Sequence, residues 1–342
     1  MKDFRKLFRP LITILAFGII SCGNKSDDVQ IYNGEALGTT YQVKFFSSEK
    51  KDISSGLDSI FEVINSSMST YRENSDISKI NKGDSSLVVD KHFREVFKAS
   101  KKIYEESRGM FDPTVGKLVN AYGFGPEGPK KAMDDEELDS IKEFVGFDKL
   151  EITQDGRIKK QHPGIYIDFN AIAKGYAVDE IARYLDNSNI TDYLVEVGGE
   201  LVAKGENLER DQTWAVGIDD PEQKEGERNL QTAVRLKNRA MASSGNYRKF
   251  RTDPETGRSY VHTINPITGL AEESDLLSVS VLAENCTLAD GYATAFMALG
   301  YHGSLEMLEK LSNVDAYFIY LDKYSEMQIF ATPGFEAALI DE

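Results

Sequence analysis

Apolar and polar positions alternate through Tyr41, Val43 and Phe45, one face of a strand, and then recur at helical intervals through Leu57, Ile60, Phe61 and Ile64. A second amphipathic helix is predicted near 91 to 106, with Phe93, Val96, Phe97, Ile103 and Tyr104 on one side. The polar stretch from Met68 to Asp84 and the Gly/Pro-rich stretch from Tyr122 to Pro129 are too irregular for regular elements. Leu150 to Ile152, the pair Asp155-Gly156 and then Ile158 predict a hairpin with an Asp-Gly turn. Ile165-Tyr166-Ile167 reads as a strand leading into a helix whose buried face is Val178, Ile181, Ala182 and Leu185. Strands follow at 193–197, 200–203, 214–218, 230–236 and 276–282, then helices near 285–299 and 303–311, then strands around 315–321 and 327–331. Runs of strands with helices grouped between them predict an α+β fold. There is no internal repeat and no Pro/Gly/Ser linker, so the body is expected to be one two-lobed unit of mixed sheets and helices.

The N-terminus follows another pattern. Lys2, Arg5, Lys6 and Arg9 precede an apolar run from Leu11 to Ile20, which would rise only about 15 Å as a helix and is too short to span a bilayer. A charged segment followed by a short apolar one is an export signal. It ends in Ile19-Ile20-Ser21-Cys22-Gly23, which resembles a bacterial lipobox, where cleavage before Cys22 leaves that residue as the lipid-bearing first position. A plain secretory signal with an incidental cysteine is the alternative. The expected organisation is a lipoprotein signal peptide at 1–21, a lipid-anchored tether at 22–33 and a catalytic domain at 34–342. Of the two cysteines, Cys286 is then a lone thiol.

Charge narrows the partners. The 342 residues carry a formal charge of −16, and the predicted leader holds four basic residues and one acidic, so its removal leaves −19. Such a surface repels a polyphosphate backbone, and nucleic acid is excluded as a partner.

Candidate chemistry is sparse. Asp290 and Thr294, four apart, share one face of a predicted helix; both are hard oxygen ligands suited to Mg²⁺, although a solvated helix face fits them as well. The stretch Asp168 to Gly175 sits where a strand becomes a helix, offering free N–H groups and a positive dipole end beside Lys174. A capped helix with a solvated lysine fits the same residues, and the glycine spacing of phosphate-binding loops is absent. Gly198-Gly199 and Ser243-Ser244-Gly245-Asn246 are read as tight turns that let backbone approach a ligand. His262, in Tyr260 to Pro266, is expected where a strand runs into a turn, so a base there could face a cleft; a core or surface role fits too. The other histidines, His92, His162 and His302, lack ligand-like companions, and no G-x-S-x-G elbow is present.

The order of these segments carries a resemblance. Leu37-Gly38-Thr39-Thr40-Tyr41, Met68-Ser69-Thr70-Tyr71 with Ser75-Asp76-Ile77, Phe111-Asp112-Pro113-Thr114-Val115-Gly116, and Tyr122-Gly123-Phe124-Gly125 come first. Asp168 to Asp179, Val197-Gly198-Gly199-Glu200, Trp214 to Ile218, Ser244 to Arg248, His262 to Gly269, and Ala289-Asp290 to Thr294 follow. Together they resemble the ApbE family of FAD:protein FMN transferases, flavin-trafficking lipoproteins with a T-fold-like architecture. Leu37 stands where that family often has Met, Asn170 where Gly is usual and Asn265 where Asp is common, departures that touch details of the pocket.

The resemblance implies Mg²⁺-dependent transfer of FMN from FAD, the substrate, to a Thr or Ser hydroxyl of a target protein, with release of AMP. It implies Mg²⁺ ligands at Asp290, Thr294 and the main-chain carbonyl of Ala171. The FAD pocket would be lined by Tyr71, Met110, Phe111, Asp112, Asp168, Lys174 and Ile264, with Lys174 facing the pyrophosphate and His262 as general base. Partners would be acceptor proteins of membrane flavin-dependent electron-transfer systems, met at the periplasmic face of a bacterial membrane, the inner one foremost. Mg²⁺-dependent FAD pyrophosphatase activity and a non-catalytic flavin-binding lipoprotein are the alternatives.

Overall fold

The computed structural model describes residues 28–125, 134–223, 229–245, 250–252, 259–261, 263–271 and 274–340. The chain opens with strands β1 (Asp28–Ala36) and β2 (Thr39–Ser47), then helices α1 (Ser54–Met68), α2 (Asp76–Asn81), α3 (Lys91–Glu106), α4 (Gly116–Ala121) and α5 (Asp135–Lys142). The short hairpin β3 (Leu150–Ile152) and β4 (Ile158–Lys160) leads to α6 (Ala173–Asn187), β5 (Tyr193–Val197) and β6 (Glu200–Lys204). Next come β7 (Trp214–Asp219), β8 (Leu230–Leu236), β9 (Arg239–Gly245), β10 (Phe250–Thr252), β11 (Ser259–Val261) and β12 (Leu276–Ala283). The chain ends with α7 (Cys286–Leu308), β13 (Asp315–Leu321), β14 (Met327–Ala331) and α8 (Pro333–Glu336). No helix among the described residues is long and apolar enough to cross a membrane.

Eight strands pair antiparallel into one sheet, in the order β1-β2-β5-β6-β9-β12-β13-β14. Side chains alternate between its faces because successive residues of a strand point oppositely. Val43, Val195, Ala240, Ala242, Val279, Val281 and Phe318 point to one face, where they join the apolar sides of α1, α3, α6 and α7 in the main core. Leu201, Met241, Leu282, Tyr317 and Ile319 point to the other, under the β7–β8 hairpin and α8, around Trp214 and Phe335. A third, small cluster joins Leu118, Val145, Ile264 and Ala271.

The periodicities at 57–64 and 93–104 correspond to α1 and α3, and α6 buries all four residues of its expected face. Several details differ from the sequence expectation. β1 begins at Asp28, inside the segment read as tether, because its alternating side chains pair along the whole length of β2. The polar stretch before Asp84 contains α2, capped by the Ser75 hydroxyl, which accepts from Ser78 N at 3.2 Å. Residues 165–167 form no sheet strand: Tyr166 makes one isolated bridge to Val115, while Asn81 bonds Ile167 N and O, both at 2.8 Å, and Lys160 Nζ donates to Ile165 O at 2.8 Å. Ser243, Ser244 and Gly245 lie within β9 and not in a turn. The two expected C-terminal helices, by contrast, are present: α7 is two helical segments separated at Gly300, whose φ of 71° and ψ of 177° are non-helical.

Candidate active site

Two helix segments meet at the site. The chain reaches α6 through a fixed turn: Asp168 N donates to Pro113 O at 2.7 Å, and the Asp168 carboxylate accepts from Asn170 N at 2.8 Å. Phe169 and Ile172, both fully buried, anchor the turn in the core. The N-terminus of α7 is tied to α6 by Asp179, which accepts from Cys286 N and Thr287 N at 2.8 Å each, while Asn285 caps the same end. One turn further on, the helices touch at Gly175. A Cβ there would meet Cys286 O at 2.3 Å and Asp290 Cβ at 2.8 Å, so only glycine permits this crossing.

The crossing gathers oxygen atoms and one ammonium. Gly175 N donates to Asp290 Oδ2 at 2.9 Å, so an amide of the first turn of α6 is engaged by a carboxylate of the protein itself. Thr294 Oγ1 lies 3.5 Å from the carbonyl oxygen of Ala171. Lys174 Nζ sits 2.7 Å from Glu200 Oε1 and 3.9 Å from Asp290 Oδ1. The lysine expected to be solvated or to face a phosphate is therefore paired with two carboxylates that are almost fully buried. Burial pushes the Asp290 carboxyl up to about 7, with Lys174 opposing and Glu200 adding to the shift. Lys174 itself is held above its ordinary value because the charges of Asp290 and Glu200 outweigh its own desolvation. With both acids ionised, one ammonium between two carboxylates leaves the group one negative charge in surplus, an arrangement that attracts a cation.

Around this centre the other expected residues fall at different depths. Asp168 is half-buried, and burial raises its carboxyl to about 6. Tyr71 exposes 62% of its surface, yet its hydroxyl is held above its usual value by burial and then by the Asp168 charge, which brings the two side chains within electrostatic reach. Met110 is half-buried and Phe111 buried. Asp112, also buried, accepts from Thr114 N at 2.7 Å, Thr114 Oγ1 at 2.6 Å and Phe147 N at 3.2 Å, while burial raises it to about 6. Those bonds make Asp112 a brace for its own loop, which reaches Asp168 through Pro113 O. Ile264 is buried in the third cluster beside Leu118. The structure thus brings Ala171, Lys174, Asp290 and Thr294 together at the α6–α7 crossing, with Asp168 on the turn that leads into α6. His262 and Cys22 lie outside the described residues.

Sequence reasoning missed Glu200 as a member of this centre. Its signal was present in Val197-Gly198-Gly199-Glu200: a glycine pair that turns the chain sharply and then an acid opening a strand of otherwise apolar character. Among the described residues no group of three or more His, Cys, Asp or Glu side chains could hold a metal ion. A cation here would rest on one carboxylate, a hydroxyl and a carbonyl.

This fold is that of the solved flavin transferases. It superposes on the flavin transferase ApbE from Vibrio cholerae with a TM-score of 0.81 at 31% identity, covering 92% of this chain and 100% of that one. It matches the apo flavinyl transferase ApbE of Pseudomonas stutzeri equally, at 0.81 and 29% identity, over 92% and 97% of the two chains. The chain belongs to the ApbE family, whose model matches residues 37–318. It is 33% identical to the FAD:protein FMN transferase of Haemophilus influenzae over 92% of this chain and 93% of that protein.

Proposed function

We propose that this chain, an ApbE-family flavin transferase, moves FMN from FAD to a Thr or Ser hydroxyl of an acceptor protein and releases AMP. The observation that carries the reading is the α6–α7 crossing, where Asp290, Thr294 Oγ1 and Ala171 O converge beside a surplus negative charge. That donor set is all hard oxygen and fits Mg²⁺, which takes few protein ligands and completes its shell with water and substrate phosphate. When bound, Mg²⁺ would offset charge on the pyrophosphate.

The residues divide the remaining work. Tyr71, Met110, Phe111, Asp112, Asp168, Lys174 and Ile264 form the FAD pocket, Asp112 through the loop that it braces and Ile264 as buried wall, and orient the pyrophosphate toward the crossing, positioning that accounts for much of the catalysis of phosphoryl transfer. The acceptor oxygen attacks the phosphorus on the FMN side, the bond from that phosphorus to the bridging oxygen breaks, and AMP leaves with that oxygen. His262 takes the hydroxyl proton; its ordinary pKa of about 6.5 suits a base near neutral pH. We further infer that Cys22 carries a lipid that holds residues 34–342 at the periplasmic side of the inner membrane. Detergent-phase partitioning unaltered in Cys22→Ser would contradict that anchor.

The test is intact mass of a candidate acceptor after incubation with FAD, with Mg²⁺ or with a chelator. Transfer gives an acceptor heavier by FMN less one water, only when Mg²⁺ is present, with AMP in equal amount. Free FMN and AMP beside an unmodified acceptor would support the pyrophosphatase reading instead.

A further inference from the structure

Glu200 occupies the first position of β6, and its place is closely fixed. The preceding glycines have φ of 65° and 102°, a Cβ on Gly198 would meet Thr39 Cγ2 at 2.7 Å, and Glu196 Oε1 accepts from Gly199 N at 2.6 Å. From there its buried carboxylate reaches Lys174 Nζ at 2.7 Å. The same ammonium stays 3.9 Å from Asp290 Oδ1, outside hydrogen-bonding range, while Gly175 N holds the other Asp290 oxygen.

We propose that Glu200 is a positioning residue for the cation site: by holding Lys174 it keeps the ammonium from closing onto Asp290 and leaves that carboxylate to a divalent cation. The inference rests on the reading of Asp290 as a cation ligand. The charge count gives the mechanism. With Glu200 ionised, one ammonium serves two acids, and a net negative charge remains for the metal. Without the Glu200 charge the group sums to zero, and Asp290 becomes the remaining partner carboxylate for Lys174. In a buried setting the attraction between opposite charges is strong, so Lys174 would become an internal competitor for the metal site. Outer partners of metal ligands commonly set affinity in this way.

The experiment is calorimetric titration of the metal-free full chain with MgCl₂, alongside thermal melting without Mg²⁺ to report folding. Glu200→Gln should bind Mg²⁺ about 10- to 100-fold more weakly than the wild type, the usual effect of losing such a partner. The double variant Glu200→Gln with Lys174→Met should return to within a few-fold of wild type, because the competitor has gone with its holder. Lys174→Met alone should bind at least as tightly as wild type, which keeps the test decisive if Glu200→Gln does not fold. Wild-type affinity in Glu200→Gln, a double variant as weak as the single one, or weakened binding in Lys174→Met would each overturn the proposal. Wild-type affinity in Asp290→Ala would remove the cation reading itself, a different failure.

Discussion

Each face of the eight-stranded sheet carries an arrangement of cation and acid, and the two differ in their balance. On the side of Trp214, Arg239 pairs with Asp315 at 2.8 Å, one charge against one, with side chains 30% and 20% exposed. Thr332 Oγ1 donates to the same carboxylate at 2.9 Å, and the pair closes the rim of an apolar layer. Partly exposed pairs of this kind contribute up to about 1 kcal/mol and do no more than finish a surface. On the helical side, Lys174 serves Glu200 and Asp290, whose side chains are 5% and 4% exposed, and one negative charge is left over. Burying an unmatched charge is costly, and a fold keeps such a charge where a ligand will complete it. Under the proposed function, the balanced pair belongs to the scaffold and the unbalanced triad to the chemistry.

The strongest way to separate the two faces is through stability. Trp214 is 2% exposed and donates Nε1–H to Lys204 O at 2.9 Å, so Trp214→Ala should cost about 3–5 kcal/mol in chemical denaturation. The transfer rate per folded molecule should stay at the wild-type value; a rate falling in step with stability would erase the distinction. Next, Gly175→Ala strikes the helical side at its closest backbone contact, where the new methyl meets Cys286 O and forces α6 from α7. The expected stability cost is about 1–3 kcal/mol. Transfer should fall as well, because Asp290 and Ala171 ride on the separated segments, and a rate untouched by the substitution would show that the crossing does not set the geometry of the site.

The smallest effect is one of pH. Burial raises the Asp112 carboxyl from 3.8 to about 6, so the folded state holds its proton longer than the unfolded state does. Its penalty is absent below about pH 4, grows as the unfolded chain ionises first, and is complete above about pH 6, reaching at most about 3 kcal/mol. Stability should therefore fall between pH 4 and 6, and Asp112→Asn should show a shallower fall over that window. The slope is the readout, since the amide also faces Phe147 N with a donor and shifts the absolute level. Equal slopes would mean that Asp112 has an ordinary carboxyl.

Much of this comparison was legible in the chain, and the parts that were not share a cause. The α6 face, the strands from Tyr193 onward and the Asp290/Thr294 pair follow from local periodicity, which needs no knowledge of neighbours. β9 was missed because Ala240, Ala242, Ser243 and Gly245 lack strand-forming bulk; Ala240 and Ala242 are small where α7 packs against that strand. β1 was missed because an edge strand with solvated side chains looks like a tether until β2 pairs with it. Glu200 was quoted as part of a motif, yet its partner lies 26 positions earlier on another element, and no local pattern couples the two. Local rules give elements, whereas charge balance is a property of assembled ones.

The most direct test of the account is single-turnover FMN transfer against Mg²⁺ concentration for the wild type and Asp290→Ala, with folding checked by thermal melting. The carboxylate ligand removed is the one side-chain charge offered to the cation in the proposed set, so Asp290→Ala should lose transfer by about 10²- to 10³-fold, on the scale of a lost electrostatic stabiliser of the transition state. The variant should remain folded without Mg²⁺, because the removal of an unbalanced buried charge offsets the bond lost from Gly175 N. Transfer by Asp290→Ala at the wild-type rate, with the same dependence on Mg²⁺, would contradict the assignment of the α6–α7 crossing as the reaction centre.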